Sequence, residues 1–318
     1  MPGRSRVVIT GGSGFLGSHL CESFLRRGDE VICVDNMLTG SPANLEPSRS
    51  FEGFTLLEKD ITAPLRVEEP VDAVLHLACP ASPMDYMKWP LETLRVGSVG
   101  TQMALDLAYE KGARFLFTSS SEVYGDPLVH PQPETYWGNV NPIGPRSSYD
   151  ESKRFSEALT VAYRDSRGID CRIARIFNTF GPRMRRDDGR MIPTFINQAI
   201  TQQPMTVAGD GKQTRTLCYV SDTVEGIMRL LDHPERVLSP VNIGGRREMN
   251  VLETAETIKR FANSSSPIKF IPRMQDDPQV RCPDLTLAGS ILGWAPRVRL
   301  EDGIRKTIDW FSNSQTRV

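Results

Sequence analysis

"RVVITGGSGFLGSHLCESFLRRG", residues 6–28, is an apolar run, a glycine-rich turn and an amphipathic stretch in succession. The run from Arg6 to Gly11 reads as a buried strand. The stretch from Gly14 reads as a helix that stops at Gly28. Gly11, Gly14 and Gly17 punctuate the turn as Gly-x-x-Gly-x-x-Gly. Glycine lets a backbone turn sharply and approach a pyrophosphate, and the helix start supplies free N–H groups and positive dipole. The next strand, "EVICVDN" (30–36), ends in Asp35. A carboxylate there accepts from ribose hydroxyls and repels a 2′-phosphate, so NAD is expected in preference to NADP. Asp60, at the end of "FTLLEKD" (54–60), is expected on the adenine side.

Further strand-like runs follow: "AVLHLA" (73–78), "RFLFTSS" (114–120) and "CRIARIF" (171–177). Helical stretches at 91–111 and 148–167 separate them. Continuous apolar strands alternating with helices indicate a parallel sheet covered on both faces. The expected fold class is α/β: a Rossmann-type doubly wound parallel sheet over residues 1–180, with a smaller C-terminal α/β substrate-binding domain over 181–318. In that second part, Pro-rich and charged loops separate shorter helices ("GPRMRRDDGR", 181–190; "IPRMQDDPQVRCPD", 271–284). The chain is expected to return to the first domain near 217–245, through "YVSDTVEGIMRLL" and "VNIGG".

The chain has 318 residues, 39% of them apolar and 24% charged, which suffices for a sizeable core. A net charge of -1 argues against broad capture of nucleic acid or anionic membrane. No apolar run approaches membrane-spanning length, and the first one is too short for a signal peptide. Six cysteines (21, 33, 79, 171, 218, 282) form no Cys-x-x-Cys pair, and with four scattered histidines they show no zinc spacing. Reduced thiols, a cytoplasmic compartment and no metal are expected.

Two stretches carry chemistry. "RSSYDESKR" (146–154) places Tyr149 and Lys153 one helical turn apart, on one face. A neighbouring ammonium and a cationic nicotinamide favour a phenolate and are expected to lower the tyrosine's pKa, so that it takes a proton from a sugar hydroxyl while the carbon loses hydride. "SSSEVYG" (119–125) ends a strand in three hydroxyls, a glutamate and a tyrosine.

In these stretches the chain resembles the extended short-chain dehydrogenase/reductase family, and within it the UDP-glucuronate decarboxylases. The resemblance covers nearly the whole chain. It is carried by "HLACPASPMDY" (76–86), "SSSEVYGDPLVHPQPETYWGNVNPIGPRSSYDESKR" (119–154), "RIFNTFGPRM" (175–184), "DGKQTR" (210–215) and "DDPQVRCPDL" (276–285). It implies Tyr149 as base, Lys153 as its partner, Ser120 near the sugar's C4 oxygen and Glu122 as the active-site glutamate. Glu122 is expected to act at C5, orienting the water or acid that protonates it. Cofactor contacts are expected from Gly11, Gly14, Phe15, Leu16, Gly17, Asp35, Asn36, Thr39, Gly40, Asp60, Ile61 and Leu77, together with Tyr149 and Lys153. The UDP-sugar is expected on Tyr86, Arg95, Asn178, Arg183, Arg190, Arg215 and Arg281.

Dehydratases of the superfamily resemble "TDEVYG" here, with an acidic pair for removing water; Ser121 stands at the aspartate. A glutamate without the aspartate suits decarboxylation. The implied reaction takes UDP-glucuronate to UDP-xylose through a C4-keto sugar, with no net redox. Gly97, Met103 and Arg95 depart from the asparagines and lysine usual in relatives, and Ala208 from a tyrosine near the base pocket, which bears on the sugar and nucleobase contacts. The alternatives are a nucleotide-sugar epimerase, a decarboxylase of a modified uronate, or a non-catalytic NAD-binding regulator. A homodimer is expected through the helix of Tyr149, with Leu159 and Ala162 as outer apolar positions.

Overall fold

The computed structural model describes residues 4–315. Its centre is a parallel sheet of seven strands. Six are β1 (Arg6–Thr10), β2 (Glu30–Asp35), β3 (Phe54–Glu58), β4 (Ala73–His76), β5 (Arg114–Ser120) and β6 (Cys171–Ile176); the seventh is Val241–Ile243. In space they run β3-β2-β1-β4-β5-β6 and then Val241–Ile243, so the order reverses between β1 and β4. Ligands bind at such a reversal, beyond the carboxyl ends of the strands. Both sheet faces are covered, which is why β1 and β4 are apolar at nearly every position. Val7, Ile9 and Leu75 face one core with Phe24, and Val8 and Val74 face another with Phe115.

Helix α1 (Phe15–Arg27) ends on Gly28 in the left-handed region, φ 98°. The long helix Ser147–Arg167 lies against β5 and presents Tyr149 and Lys153 to its end. The helix expected over 91–111 is instead three pieces: Pro90–Arg95, a π turn at Val96–Gly100, and Thr101–Lys111. The cause is close approach to the long helix. A Cβ on Gly97 would come within 2.5 Å of the Ser152 Cβ, and the Ser156 hydroxyl donates to the Gly97 carbonyl at 2.7 Å. Gly97 is a packing requirement here rather than a weak point in a regular helix.

Beyond the large sheet, Thr214–Thr216 pairs on one side with Val280–Arg281 and on the other with Glu248–Asn250. Met205–Ala208 pairs with Ile268–Ile271. These short strands stand over the carboxyl ends of the large sheet and close a cavity against it.

Candidate active site

The cavity holds about 570 Å³ and runs from the glycine turn to the short strands. At one end the chain packs tightly on itself. A Cβ on Gly11 (φ 71°) would lie 2.7 Å from the Ala78 backbone, and one on Gly17 would lie 2.1 Å from the Gly11 carbonyl. A Cβ on Gly14 would meet only that carbonyl, at 3.2 Å, so the first turn of α1 lies open to a ligand. Its N–H groups have no partner within the helix. Asp35 accepts from the Ser13 N–H and the Met37 N–H, both at 2.9 Å. Each carboxylate oxygen keeps a lone pair for a ribose hydroxyl. This cradle fits a dinucleotide. Asp60 accepts from Asn36 at 3.1 Å; burial pushes its carboxyl up, but the Thr62 and Asn36 hydrogen bonds and the Arg95 charge outweigh it and lower the pKa. Phe15, Leu16, Thr39, Gly40, Ile61 and Leu77 line the same end. Arg95 is exposed, lines the cavity, and its charge reaches Asp60.

The centre is built by β5 and the long helix. The Lys153 ammonium donates to the Thr118 carbonyl at 2.9 Å and lies 5.7 Å from the centre of the Tyr149 ring. The Tyr149 ring stacks on Tyr86 at 5.1 Å. The neighbouring ammonium by itself does not lower the Tyr149 pKa. Burial pushes the phenol above its ordinary value, the Cys79 charge adds to that, and the Ser120 hydrogen bond only partly opposes them. Burial likewise pushes Lys153 down, against the charges of Cys79 and Glu157. Desolvation outweighs the single neighbouring ammonium. A further positive charge, such as an oxidised nicotinamide carries, is needed to favour the phenolate.

The residues of "SSSEVYG" point to different partners. Ser119 donates to Glu157 at 2.6 Å, and Ser120 caps the turn Ser121–Tyr124 by accepting from the Glu122 N–H. Tyr124 donates to Asn242 at 2.9 Å and accepts from Arg175, which is held by Glu157. These contacts anchor the strand end. Glu122 faces two arginines, accepting from Arg146 at 2.5 Å and Arg281 at 3.2 Å. Burial alone would raise its carboxyl; Arg281, Arg146 and Arg215 overcome it and hold it at about 2. Glu122 is therefore an ionised acceptor and a poor proton donor, which suits orienting a water rather than giving up a proton of its own.

Arg281 stands beside Arg215 in the strand pairing, 1% exposed; it donates to Glu122, and its Nε and Nη1 are buried without a hydrogen-bond partner. Arg215 does line the cavity, fixed by Asp277 at 3.0 Å. Arg183, Arg190 and Asn178 line it as well. Arg183 pairs with Glu22, and Arg190 with Asp188 at 2.5 Å. The Tyr86 hydroxyl and the Arg183 Nη1 are buried without a hydrogen-bond partner. Such donors suit an oxygen-rich anionic ligand. Gly97 and Met103 are not on the cavity wall, so their departures do not touch a bound sugar directly, whereas Ala208 does line it.

Sequence reasoning missed Arg146, Asp150, Arg185 and Cys79. Asp150 follows Tyr149 and is 6% exposed; burial and the Glu122 charge push its carboxyl up to about 8, against Arg146 and Arg281. The quoted stretch "RSSYDESKR" contained Arg146 and Asp150, but their charge says nothing of partners that lie distant in the sequence.

A family model described as "NAD dependent epimerase/dehydratase family" matches residues 7–244. UDP-glucuronic acid decarboxylase 1 of Arabidopsis thaliana is 49% identical over 310 residues, covering 98% of this chain and 70% of the relative. An epimerase from Methanothermobacter thermautotrophicus superposes with a TM-score of 0.92 at 28% identity, over 99% of this chain and 94% of its own. UDP-glucuronic acid 4-epimerase from Bacillus cereus, in complex with UDP-glucuronic acid and NAD, has a TM-score of 0.87 at 25% identity, covering 97% and 99%. The chain belongs to the NAD dependent epimerase/dehydratase family and is similar along nearly its whole length to a UDP-glucuronic acid decarboxylase of that family.

Proposed function

We propose that this chain is an NAD-dependent UDP-glucuronate decarboxylase forming UDP-xylose. The observation that carries the reading is a single cavity lined by the glycine cradle, by Ser120, Glu122, Tyr149 and Lys153, and by Arg215. Gly11, Gly14, Gly17 and Asp35 would hold NAD, which when bound supplies the hydride acceptor and donor for the sugar's C4. Tyr149 takes the C4 hydroxyl proton, assisted by Ser120. Lys153, anchored on Thr118, keeps its charge beside that ring. The resulting C4 ketone makes the C6 carboxylate a β-keto acid, which leaves as carbon dioxide while the ketone receives the electrons. Glu122 orients a water that protonates C5, since its own carboxyl carries no proton at neutral pH. Arg183, Arg190, Arg215 and Asn178 hold the diphosphate and sugar, and the planar guanidinium suits phosphate oxygens.

The test is product analysis by NMR after incubation with NAD and UDP-glucuronate. UDP-xylose with one carbon dioxide per turnover is expected. UDP-galacturonate without gas would assign a 4-epimerase instead, and bound but unchanged UDP-glucuronate a non-catalytic binder.

NAD is expected to bind more tightly than NADP in calorimetry, because Asp35 repels a 2′-phosphate. Asp35→Ala should narrow the gap while weakening both, since it also frees the Ser13 and Met37 N–H groups. Equal binding of the two cofactors to the unaltered protein would sink this assignment.

A homodimer is part of the proposal. Leu91, Leu94, Val99 and Phe155 are exposed at 75%, 43%, 37% and 51% on two helical segments that pack against each other. Ala162 is exposed beside them, whereas Leu159 turns inward against the second core and is not an outer position. A contiguous apolar face of this kind suits a second copy. Sedimentation at micromolar concentration should give twice the chain mass, and Phe155→Glu should give the monomer. A monomer from the unaltered chain would overturn it. Among the described residues no helix is long and apolar enough to cross a membrane. All six cysteines are free, which supports a reducing, cytoplasmic setting.

A further inference from the structure

His130, Glu248 and Cys282 converge on the far side of the sheet that carries Arg215 and Arg281. One donor atom of each lies within 4.8 Å of the others, and His130 Nε2 is 3.1 Å from Glu248 Oε2. None of the three lines the cavity. Their backbones are held. Gln132, fully buried, accepts from the Cys282 N–H at 2.8 Å and donates its own N–H to the Cys282 carbonyl at 2.8 Å. Glu248 opens the strand Glu248–Asn250 and accepts from the Thr214 hydroxyl. A half-buried thiol among negative groups is an arrangement that a dication stabilises.

We propose that His130, Glu248 and Cys282 bind one borderline-soft divalent ion of the Zn2+ type, with a water completing the tetrahedron. Thiolate, imidazole and carboxylate together select this class, whereas Mg2+ and Ca2+ take oxygen donors. A tetrahedron with arms of about 2.0–2.3 Å sets its donors about 3.3–3.8 Å apart. The side chains therefore need to shift by about an ångström, and the His130 ring is exposed enough to do so. On binding, the Cys282 S–H bond breaks, its proton passes to solvent and a sulfur–metal bond forms, with no change of oxidation state. Cys282 follows Arg281, so the ion would tie the strand Val280–Arg281 to the His130 loop and hold Arg281 against Glu122.

The experiment titrates the reduced, metal-free full chain with Co2+ and then with Zn2+. One equivalent per chain, a near-ultraviolet thiolate-to-cobalt band and displacement by Zn2+ are expected, with a rise in melting temperature. Cys282→Ser should remove the band and weaken Zn2+ at least about 100-fold, and His130→Ala should weaken it about 10- to 100-fold. Cys79→Ser should leave both unchanged. A band that survives Cys282→Ser, cobalt binding with no thiolate band, or no saturable binding below about 100 μM, the weak end for a specific protein site, would overturn the proposal.

Discussion

Tyr149→Phe is expected to cut carbon dioxide release from UDP-glucuronate by about a hundred- to ten-thousand-fold, the usual loss when a positioned acid–base group is removed. The phenylalanine ring keeps the stacking on Tyr86, and Lys153 keeps its bond to Thr118, so the melting temperature should change little. What disappears is the oxygen that accepts the C4 proton. The measurement is gas release from substrate labelled at C6, with thermal unfolding as the control. Turnover within about ten-fold of the unaltered chain would remove Tyr149 from the role of base.

Glu122→Gln is expected to lower both turnover and stability. Glu122 is the acceptor for Arg146 and Arg281, both buried. Removing its charge leaves two cations without that counter-ion, and breaking a buried pair costs about 3–5 kcal/mol. A carboxyl held from 4.5 down to about 2 is linked to about 3 kcal/mol, a similar size. The sign follows from the depressed value. The contribution is present above pH 4.5 and is lost as pH falls toward 2, so the stability gap between the two proteins should close across that window.

Asp150 complicates the outcome in a testable way. Burial raises the Asp150 carboxyl most and the Glu122 charge adds to it; with Glu122 neutralised that added part is gone, so Asp150 ionises more readily and serves Arg146 and Arg281. Asp150→Asn combined with Glu122→Gln should therefore cost more than the sum of the single changes. Turnover should fall about a hundred- to ten-thousand-fold if Glu122 orients the water at C5. Normal turnover of Glu122→Gln at saturating substrate would leave it a structural counter-ion only.

The strand–glycine–helix unit, the other parallel strands and the Tyr149–Lys153 pair were all legible in the sequence. Each rests on spacing within a few residues, where period and turn chemistry act locally. Asp35 was legible for the same reason, since a strand end sets its place. The fate of Glu122 was not. Its nearer arginine is 24 residues away and the other 159, so only the fold decides that it faces cations and stays ionised. Arg281 matched a motif, but its bond to Glu122 was not legible, because it follows from the pairing of Val280–Arg281 with Thr214–Thr216, which sets Arg281 beside Arg215. The rise in the Tyr149 pKa comes chiefly from burial, a property of everything packed around it and of no local pattern. The π turn at Gly97 likewise follows from contact with Ser152, which the tertiary packing of two helices brings within reach. Local periodicity and turn residues determine which elements form; which charges meet, and how dry they are, is decided only when distant segments pack together.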